Sequence, residues 1–189
     1  MRLIIGYYTP GDYEREANER LLKSLRELGL AHDVRCFVDR GSWLRNVASC
    51  PLLILQMDEE KPEADFLYCD VDRYFHRDPW PGLAGLQCDV AVHYFKGVEL
   101  LSGVVYVPAG PRRRELMERW AEMNEKYPHR MDQRNLQTLL AQDKSFRVVR
   151  LPPEYCCIFD LQRRLTPDID PICEQFQASR RYKATANRR

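Results

Sequence analysis

The sequence feature that most constrains the fold is a short apolar run that ends in two carboxylates. Residues 66–69 read Phe-Leu-Tyr-Cys, and Asp70-Val71-Asp72 follows directly. The run predicts a buried strand, and open α/β sheets bind their ligands where such strands end. Because side chains alternate along an extended segment, Asp70 and Asp72 project to the same side, about 7 Å apart. They repel each other unless a cation lies between them or one of them turns away.

Paired carboxylates are hard oxygen ligands, which suit Mg²⁺ or Mn²⁺. Such an ion keeps a couple of protein carboxylates and takes further ligands from substrate phosphates. The alternative is structural, since an Asp-x-Asp triplet is also typical of solvated turns and helix caps. The aromatic strand before the triplet, with Phe75 and the Asp78-Pro79 turn after it, favours a metal and diphosphate site.

Strand and helix patterns alternate along the chain. The predicted strands are 2–8, 34–38, 66–69, 89–94, 102–107, 147–151 and 156–159. The predicted helices run from Asp12 to Gly29, from 43 to about 57, from 111 to 126, and onward from about 131. Pro51 suits a first helical turn, so the second helix is alternatively two short ones. The alternation indicates an α/β fold, with a mainly parallel central sheet and helices on both faces. No domain boundary is visible, so 1–189 is predicted to be a single domain.

Composition and residue patterns argue against a membrane-spanning protein and against a zinc-binding protein. The hydrophobic fraction of 44%, the charged fraction of 30% and the net charge of +1 are ordinary for a soluble protein. We expect no membrane span and a cytoplasmic protein, because no run of 18 apolar residues and no signal peptide occurs. The seven cysteines form no Cys-x-x-Cys pair, which favours reduced thiols and argues against a zinc site.

Seven short segments give the chain a resemblance to nucleotide-diphospho-sugar glycosyltransferases of the GT-A fold that carry a DxD motif. In chain order they are Tyr8-Thr9-Pro10, Trp43-x-x-Asn46, Asp70-Val71-Asp72, Glu99-Leu-Leu-Ser102-Gly103, Asp132-Gln133, Leu151-Pro-Pro-Glu-Tyr155 and Gln177-Ala-Ser-Arg-Arg181. Each segment is weak alone, but their order is specific. The resemblance implies one Rossmann-like GT-A domain. It also implies a metal-dependent enzyme that moves a hexose or pentose from a nucleotide-diphosphate sugar to an acceptor hydroxyl.

The resemblance also assigns roles to residues. In the family, the Asp-x-Asp pair holds a divalent cation against the donor's diphosphate, so Asp70 and Asp72 should ligate Mn²⁺ or Mg²⁺. A basic C-terminal segment, about 172–189, should close over the donor site and neutralise the leaving diphosphate. The predicted donor-binding residues are Tyr8, Thr9, Trp43, Arg45, Asn46, Asp70, Val71, Asp72, Ser102, Gly103, Gln133, Arg180, Arg181 and Lys183.

The chain departs from the family pattern in two places. Cys50-Pro51 stands where related sequences carry Lys-Pro, and Arg45 is the candidate that replaces the missing charge. Related sequences also carry a histidine ligand shortly before the segment at 177, where this chain has Glu174-Gln175-Phe176. A carbonyl oxygen suits hard cations, so Gln175 is the predicted further metal ligand, with Glu174 as the alternative.

Inverting transfer needs a general base near the acceptor hydroxyl. Asp132 is the first candidate and Glu99 the second, while a purely structural role for Asp132 is to cap the helix that follows it. The sequence leaves the sugar, the nucleotide, the stereochemistry and the acceptor open. A glycan and a modified base in DNA are both acceptors that it allows.

Two other functions compete with glycosyl transfer. Magnesium-dependent phosphatases of the haloacid-dehalogenase type also place an Asp-x-Asp nucleophile after a buried strand, but normally after the first strand, so position 70 argues against them. A non-enzymatic nucleic-acid-binding module would use the basic runs at 112–114, 163–164 and 180–189. Such runs are more often solvated surface, and the net charge of +1 weakens this alternative.

Overall fold

Strands and helices alternate along residues 1–180, the part of the chain that the computed structural model describes. The strands are β1 (Arg2–Tyr8), β2 (His32–Cys36), β3 (Asp65–Cys69), β4 (Arg73–Phe75), β5 (Val90–Phe95), β6 (Glu99–Val107), β7 (Val148–Arg150), β8 (Cys157–Ile158) and β9 (Cys173–Gln175). The helices are α1 (Asp12–Glu16), α2 (Lys23–Glu27), α3 (Trp43–Val47), α4 (Cys50–Glu60), α5 (Arg112–Lys126), α6 (Asp132–Gln142) and α7 (Leu161–Leu165). A π-helical segment, Ala17–Leu22, joins α1 to α2, and Pro153–Tyr155 forms a 3₁₀ turn. No helix within residues 1–180 combines the length and the apolar character that a membrane crossing needs.

Six strands form the central sheet, in the order β2-β1-β3-β6-β5-β7. β1 pairs in parallel with β2 and β3, and β5 pairs in parallel with β7. β6 lies antiparallel to both of its neighbours, β3 and β5. Every strand of this sheet except β6 therefore points the same way, which confirms the predicted mainly parallel sheet. The carboxyl ends of β1 and β3 lie side by side at one edge.

The core has one part on each face of the sheet. On one face α4, α5 and α6 pack residues such as Met57 and Trp120 against the strands. On the other face the segment from α1 to α2 contributes Leu21 and Leu25, beside Phe75 of β4. All five side chains are almost completely buried, and burying one aliphatic or phenyl side chain contributes about 1.5–3 kcal/mol. Helices on both faces are therefore confirmed.

Two predicted elements have different boundaries in the structure. The second strand was predicted at 34–38 but spans His32–Cys36, because Tyr8 at the end of β1 is the partner of Cys36. Beyond that point the chain turns into solvent, and Val38 is 86% exposed. The predicted helix over 43–57 is two helices, α3 and α4, with Pro51 in the first turn of α4. This is the two-piece alternative that Pro51 allowed.

A second sheet, with the order β4-β9-β8, was not predicted. Its strands have two or three residues each, too short to show an alternating pattern. β4 follows Asp72 directly, and its antiparallel partner is β9, with Arg73 opposite Gln175 and Phe75 opposite Cys173. The small sheet therefore holds the C-terminal part of the described chain beside the Asp-x-Asp segment.

The basic run at 112–114 belongs to the fold. Arg113 is 2% exposed, and its Nε donates to Asp58 Oδ1 at 2.7 Å. The rest of its guanidinium donates to the carbonyl oxygens of Pro62 and Ala64. The two half-buried arginines beside it form salt bridges with acidic side chains. This run therefore ties α5 to α4 and to the loop before β3.

Replacing Arg113 with alanine should destabilise the protein by about 3–5 kcal/mol, because the change leaves Asp58 and two buried carbonyl groups without their donor. The matched control is Arg114→Ala, whose side chain is 43% exposed and whose loss should cost about 0–1 kcal/mol. Urea unfolding followed by circular dichroism measures both. Equal losses in the two variants would show that the buried guanidinium has no special structural role.

Candidate functional site

A cavity of about 300 Å³ opens at the edge where β1 and β3 end. Its walls come from the loops after these strands, from α3, from the middle of β6, from the start of α6 and from the chain after β9. The sequence-predicted residues that line it are Tyr8, Thr9, Trp43, Asn46, Asp70, Val71, Asp72, Ser102, Gly103, Asp132, Gln133, Gln175 and Arg180. The fold thus brings most of the predicted site residues together from distant parts of the sequence.

Two predicted residues lie outside the cavity wall. Arg45 lies on another side of α3 and lines a different cavity, with Arg40 and Arg130. Glu99 is exposed at the start of β6, and its Oε1 accepts a hydrogen bond from Gln133 Nε2 at 3.1 Å. Glu99 therefore reaches the cavity only through another side chain, and Arg45 does not supply a charge there. The predicted Arg181 and Lys183 lie outside the described residues.

The two candidate replacements for a histidine ligand face different surroundings. Glu174 is buried, and its oxygens contact Arg163 Nε at 2.9 Å and His76 Nε2 at 3.1 Å. Successive residues of a strand point to opposite sides, so Gln175 lines the cavity instead. Its Nε2 donates to Asp70 Oδ2 at 3.4 Å. Of the two, Gln175 is the one placed beside the carboxylates.

Two hydrogen bonds fix Asp70, one from its own strand β3 and one to the neighbouring strand β6. Tyr68 OH donates to Asp70 Oδ1 at 3.1 Å, and the Asp70 backbone N–H donates to Gly103 O at 3.0 Å. Tyr7 lies beside Tyr68, with ring centroids 6.1 Å apart, and both rings line the cavity. Sequence reasoning missed these two tyrosines. The sequence signal that could have identified them is a tyrosine near the carboxyl end of each of two otherwise apolar strands.

Asp72 is held by the C-terminal stretch. Its backbone oxygen accepts from Phe176 N at 3.0 Å, and its Oδ2 accepts from Ala178 N at 2.7 Å. Its Oδ1 is buried and has no hydrogen-bond partner within residues 1–180. Burial, with a further contribution from the charge of Asp70, raises the pKa of Asp72 to about 6, while Arg73 opposes this rise. A buried carboxylate oxygen without a donor is costly, and a cation is an effective partner for it.

Arg73, which sequence reasoning missed, lies completely buried beneath the two aspartates. Its Nη2 donates to Gln175 Oε1 at 3.1 Å and to Cys156 Sγ at 3.4 Å. An arginine keeps its charge when buried, so Arg73 offsets part of the negative charge of Asp70 and Asp72. No local sequence pattern predicts this role of Arg73, because side chains that contact its guanidinium are about 100 positions away in the sequence.

Gly103 occupies the space between this guanidinium and Asp70. A Cβ atom at this position would lie 2.4 Å from Arg73 Nη2 and 2.7 Å from Asp70 Oδ2. Both distances are far below van der Waals contact, so no other side chain fits without moving a buried charged group. Close packing therefore requires a glycine at position 103, which the sequence predicted to be a site residue.

Asp132 lies on the opposite wall, at the first residue of α6. Its Oδ2 accepts from Ser102 Oγ at 2.9 Å, and its backbone oxygen accepts from Trp120 Nε1 at 3.0 Å. Burial raises the pKa of Asp132 to about 7, against the effect of the Ser102 hydrogen bond and with a contribution from Asp70. Met131 occupies the N-cap position of α6, and Asp132 is the first helical residue. Its carboxyl also accepts hydrogen bonds from backbone N–H groups at the start of the helix, which lower its pKa, so the structural alternative for Asp132 stays open beside the catalytic one.

The ligand set that the cavity offers a metal is small. Within residues 1–180, no three histidine, cysteine, aspartate or glutamate side chains come together as a metal site. Asp70 and Asp72 supply two carboxylates, and Gln175 supplies an amide. Such a set suits an ion that takes several of its ligands from a bound substrate.

A family model described as nucleotide-diphospho-sugar transferase matches residues 61–167, which is more than half of the chain. The match begins before β3 and continues through α7, so it includes the Asp-x-Asp segment and Asp132. A comparison with curated proteins gave no match.

Three solved glycosyltransferase structures are similar to this chain. One is involved in the glycosylation of the major capsid of PBCV-1; it has 15% identity and a TM-score of 0.73, over 93% of this chain and 92% of that one. GlyE from Streptococcus pneumoniae TIGR4 has 16% identity and a TM-score of 0.65, over 93% of this chain and 55% of that one. The galactosyltransferase LgtC, solved with donor and acceptor sugar analogues, has 12% identity and a TM-score of 0.56, over 94% and 87%. At these identities the likeness shows the fold.

Replacing Gly103 with alanine should destabilise the protein by about 1–3 kcal/mol, because the new methyl group overlaps a buried guanidinium and a carboxylate. Gly110→Ala is the matched control, since a Cβ there meets nothing within 4 Å. Thermal and urea unfolding compare the two variants. If Gly103→Ala were as stable as Gly110→Ala, the close packing around Arg73 would not be a constraint.

Proposed function

Because the chain belongs to the nucleotide-diphospho-sugar transferase family, we propose that its cavity binds a nucleotide-diphosphate sugar and transfers the sugar to an acceptor hydroxyl. The observation that carries this proposal is the meeting of Asp70, Asp72 and Asp132 in one cavity at the carboxyl edge of the sheet. Two carboxylates at one wall suit a metal and diphosphate, and a third carboxylate at the other wall suits proton transfer. The sequence alone predicted the same three residues.

In the proposed complex, the donor spans the cavity from the loop after β1 to the middle of β6. The nucleoside lies against Tyr8, Thr9 and Trp43, and the sugar lies near Ser102 and Gly103. All five residues line the cavity, and the polar groups among them offer partners to ribose and sugar hydroxyls. The proposed orientation places the diphosphate beside the Asp-x-Asp segment.

We assign Mg²⁺ or Mn²⁺ to Asp70 and Asp72. The fit rests on the buried Asp72 Oδ1, which has no hydrogen-bond partner within residues 1–180, and on the hard oxygen chemistry of both carboxylates. When bound, the ion supplies positive charge that stabilises the leaving diphosphate. Gln175 joins the ligands only if its amide turns, because its Oε1 accepts a hydrogen bond from Arg73.

The C-terminal segment is proposed to close over the donor, within a single domain. Support comes from the two backbone hydrogen bonds that Phe176 and Ala178 donate to Asp72, and from Arg180, which lines the cavity. Arg180 Nη1 also donates to Asp160 Oδ2 at 2.7 Å, which holds the segment in place. Arg181 and Lys183 stay predicted diphosphate-binding residues.

For inverting transfer, we propose Asp132 as the general base. A carboxylate with a pKa near the working pH is well suited to accept a proton, and Ser102 Oγ orients the carboxylate through its hydrogen bond. Glu99 is the weaker candidate, since it contacts the cavity through Gln133. In this arrangement Asp70 and Asp72 hold the metal ion that binds the donor's diphosphate, and Asp132 accepts the proton of the acceptor hydroxyl.

Nucleoside diphosphates and nucleotide sugars should stabilise the protein in the presence of Mn²⁺, by about 2.7 kcal/mol for a ligand at 100-fold over its dissociation constant. Asp70→Asn and Asp72→Asn should each remove the Mn²⁺-dependent part of this gain. Both should also lower sugar transfer or donor hydrolysis by at least about 100-fold, because the diphosphate loses its ion. Thermal unfolding with a panel of these ligands, and release of nucleoside diphosphate, provide the two measurements.

The control for this experiment is Asp170→Asn, whose side chain is 83% exposed. It should match the wild-type protein in ligand stabilisation and in turnover. Unchanged turnover in folded Asp70→Asn or Asp72→Asn would contradict the metal assignment. No stabilisation of the wild-type protein by any nucleotide of the panel would contradict the proposed function.

The raised pKa of Asp132 predicts a pH-dependent loss of stability. An unfolded aspartate ionises near 3.8, whereas Asp132 in the folded protein ionises near 7, so the unfolded state releases its proton first as pH rises. The free energy of unfolding should therefore fall between pH 4 and pH 7 because of this group, by up to about 4 kcal/mol. Asp132→Asn should remove that fall, which urea unfolding at several pH values measures. A constant difference between variant and wild type across this range would contradict the prediction.

A further inference from the structure

Five exposed cations lie just outside the donor cavity, and we call them the basic rim: Arg40, Arg45, Lys126, Arg130 and Arg134. Two neighbouring cavities carry them. Arg40, Arg45 and Arg130 line one of about 300 Å³, and Lys126, Arg130 and Arg134 line one of about 630 Å³. Arg130 belongs to both cavities, so the basic rim is continuous.

The basic rim adjoins the proposed active site on the side of Asp132. The helix α3 separates it from the donor cavity, with Trp43 on the donor side and Leu44 on the rim side. Met131 lines both the donor cavity and the larger rim cavity, and Asp132 follows it directly. The basic rim and the donor cavity therefore meet at Met131, next to the proposed general base.

Within residues 1–180, the cations of the basic rim are not paired with acidic side chains, although Glu125 also lines the smaller of the two cavities. None of its five members forms a salt bridge with an acidic side chain in the part of the chain that is described. Four described arginines of the basic runs that the sequence singled out do form such pairs, namely Arg112, Arg114, Arg163 and Arg180. Five cations without a salt bridge to any described residue therefore lie together around two adjoining cavities.

Helix stability does not explain this placement. Arg134 lies in the first turn of α6, where the positive end of the helix dipole makes a cation unfavourable by about 0.3–1 kcal/mol. Arg130 lies in the turn before the same helix, and its guanidinium carbon packs 4.5 Å from the centre of the Tyr127 ring. Lys126 Nζ lies 5.4 Å from that ring as well. The Tyr127 ring thus holds two cations together, although they repel each other.

We propose that the basic rim binds the acceptor, and that the acceptor is a negatively charged glycan carrying phosphate or carboxylate groups. This inference rests on the proposed function, which requires an acceptor hydroxyl near Asp132. A glycan fits better than a nucleic acid, because single strands are held by stacking successive bases on aromatic rings, and among the described residues that line the two cavities Tyr127 is the one Phe, Tyr or Trp. The volume of the two cavities leaves room for more than one sugar unit.

The test compares two double variants with the same change in net charge. Lys126→Glu/Arg130→Glu reverses two charges of the basic rim, and Arg26→Glu/Lys144→Glu reverses two exposed cations elsewhere. The probes are a glycerol-phosphate hexamer, hexagalacturonate, neutral maltohexaose and a 20-nucleotide single-stranded DNA. Binding of each probe is measured by calorimetry at 50 and 200 mM salt, because screening weakens exposed charge contacts.

We expect the wild-type protein to bind at least one anionic hexamer, more weakly at the higher salt, and to bind maltohexaose at least tenfold more weakly. The phosphate and carboxylate hexamers tell the two kinds of charge apart. The rim variant should lose at least about tenfold in affinity, whereas the control variant should stay within about twofold of the wild-type protein. Equal losses in both variants, equal binding of maltohexaose, or tighter rim-dependent binding of the DNA would each overturn the proposal.

Thermal unfolding with nucleoside diphosphates and Mn²⁺ is measured on the same three proteins. Because the exchanged residues lie outside the donor cavity, all three should be stabilised equally. Nucleotide stabilisation without binding of either anionic hexamer would overturn this inference and leave the proposed function standing. If no nucleotide stabilised the wild-type protein, the proposed function would fail, and this inference with it.

Discussion

The contact between the buried guanidinium of Arg73 and its surroundings is the interaction on which the candidate site depends. Arg73 is fully buried, contacts Gln175 and Cys156, and lies opposite Asp70 across Gly103. A charge without solvent is tolerated only when opposite charges and hydrogen-bond partners surround it, since breaking such a set costs about 3–5 kcal/mol. The Asp-x-Asp segment, the middle of β6 and the pairing of β4 with β9 must therefore form together. The small second sheet is thus part of the site, and through Phe75 and Cys173 it also belongs to the hydrophobic core.

The reversed direction of β6 explains how two groups of carboxylates share one cavity. β6 starts beyond the end of β3 and then runs back along it, so its middle residues Ser102 and Gly103 lie beside the point where β3 ends. Gly103 accepts the backbone hydrogen bond of Asp70, and Ser102 donates to Asp132. One dipeptide therefore connects the proposed donor wall to the proposed acceptor wall. The two walls also interact electrostatically, since Asp70 contributes to the raised pKa values of both Asp72 and Asp132.

Sequence reasoning succeeded where the signal was local. The strand before Asp70 and the break at Pro51 follow from short runs of residues, and the order of weak motifs was enough to identify the family. It could not find Arg73, because the partners of that side chain are about 100 positions away, nor the three-residue strands that hold them. It also assigned Arg45 to the donor site, since nearness in sequence does not say which side of a short helix a residue occupies. Site residues at strand ends were predictable, whereas charges placed by the second sheet or by a helix face were not.

A net charge of +1 conceals an uneven distribution of charge. Of the arginines in the basic runs of the sequence, most of those that the structure describes are paired in the fold with acidic side chains such as Asp58 and Glu174. The cations of the basic rim are scattered in the sequence and come together only through α3 and the loop before α6. Because paired charges cancel at a distance, the field near the surface is set mainly by the unpaired ones. The positive N-terminus of α6 adds to this field beside Asp132. An anionic acceptor would therefore be attracted to the wall where its hydroxyl group is needed, while Asp70 and Asp72 would repel it from the donor wall unless a cation is bound there.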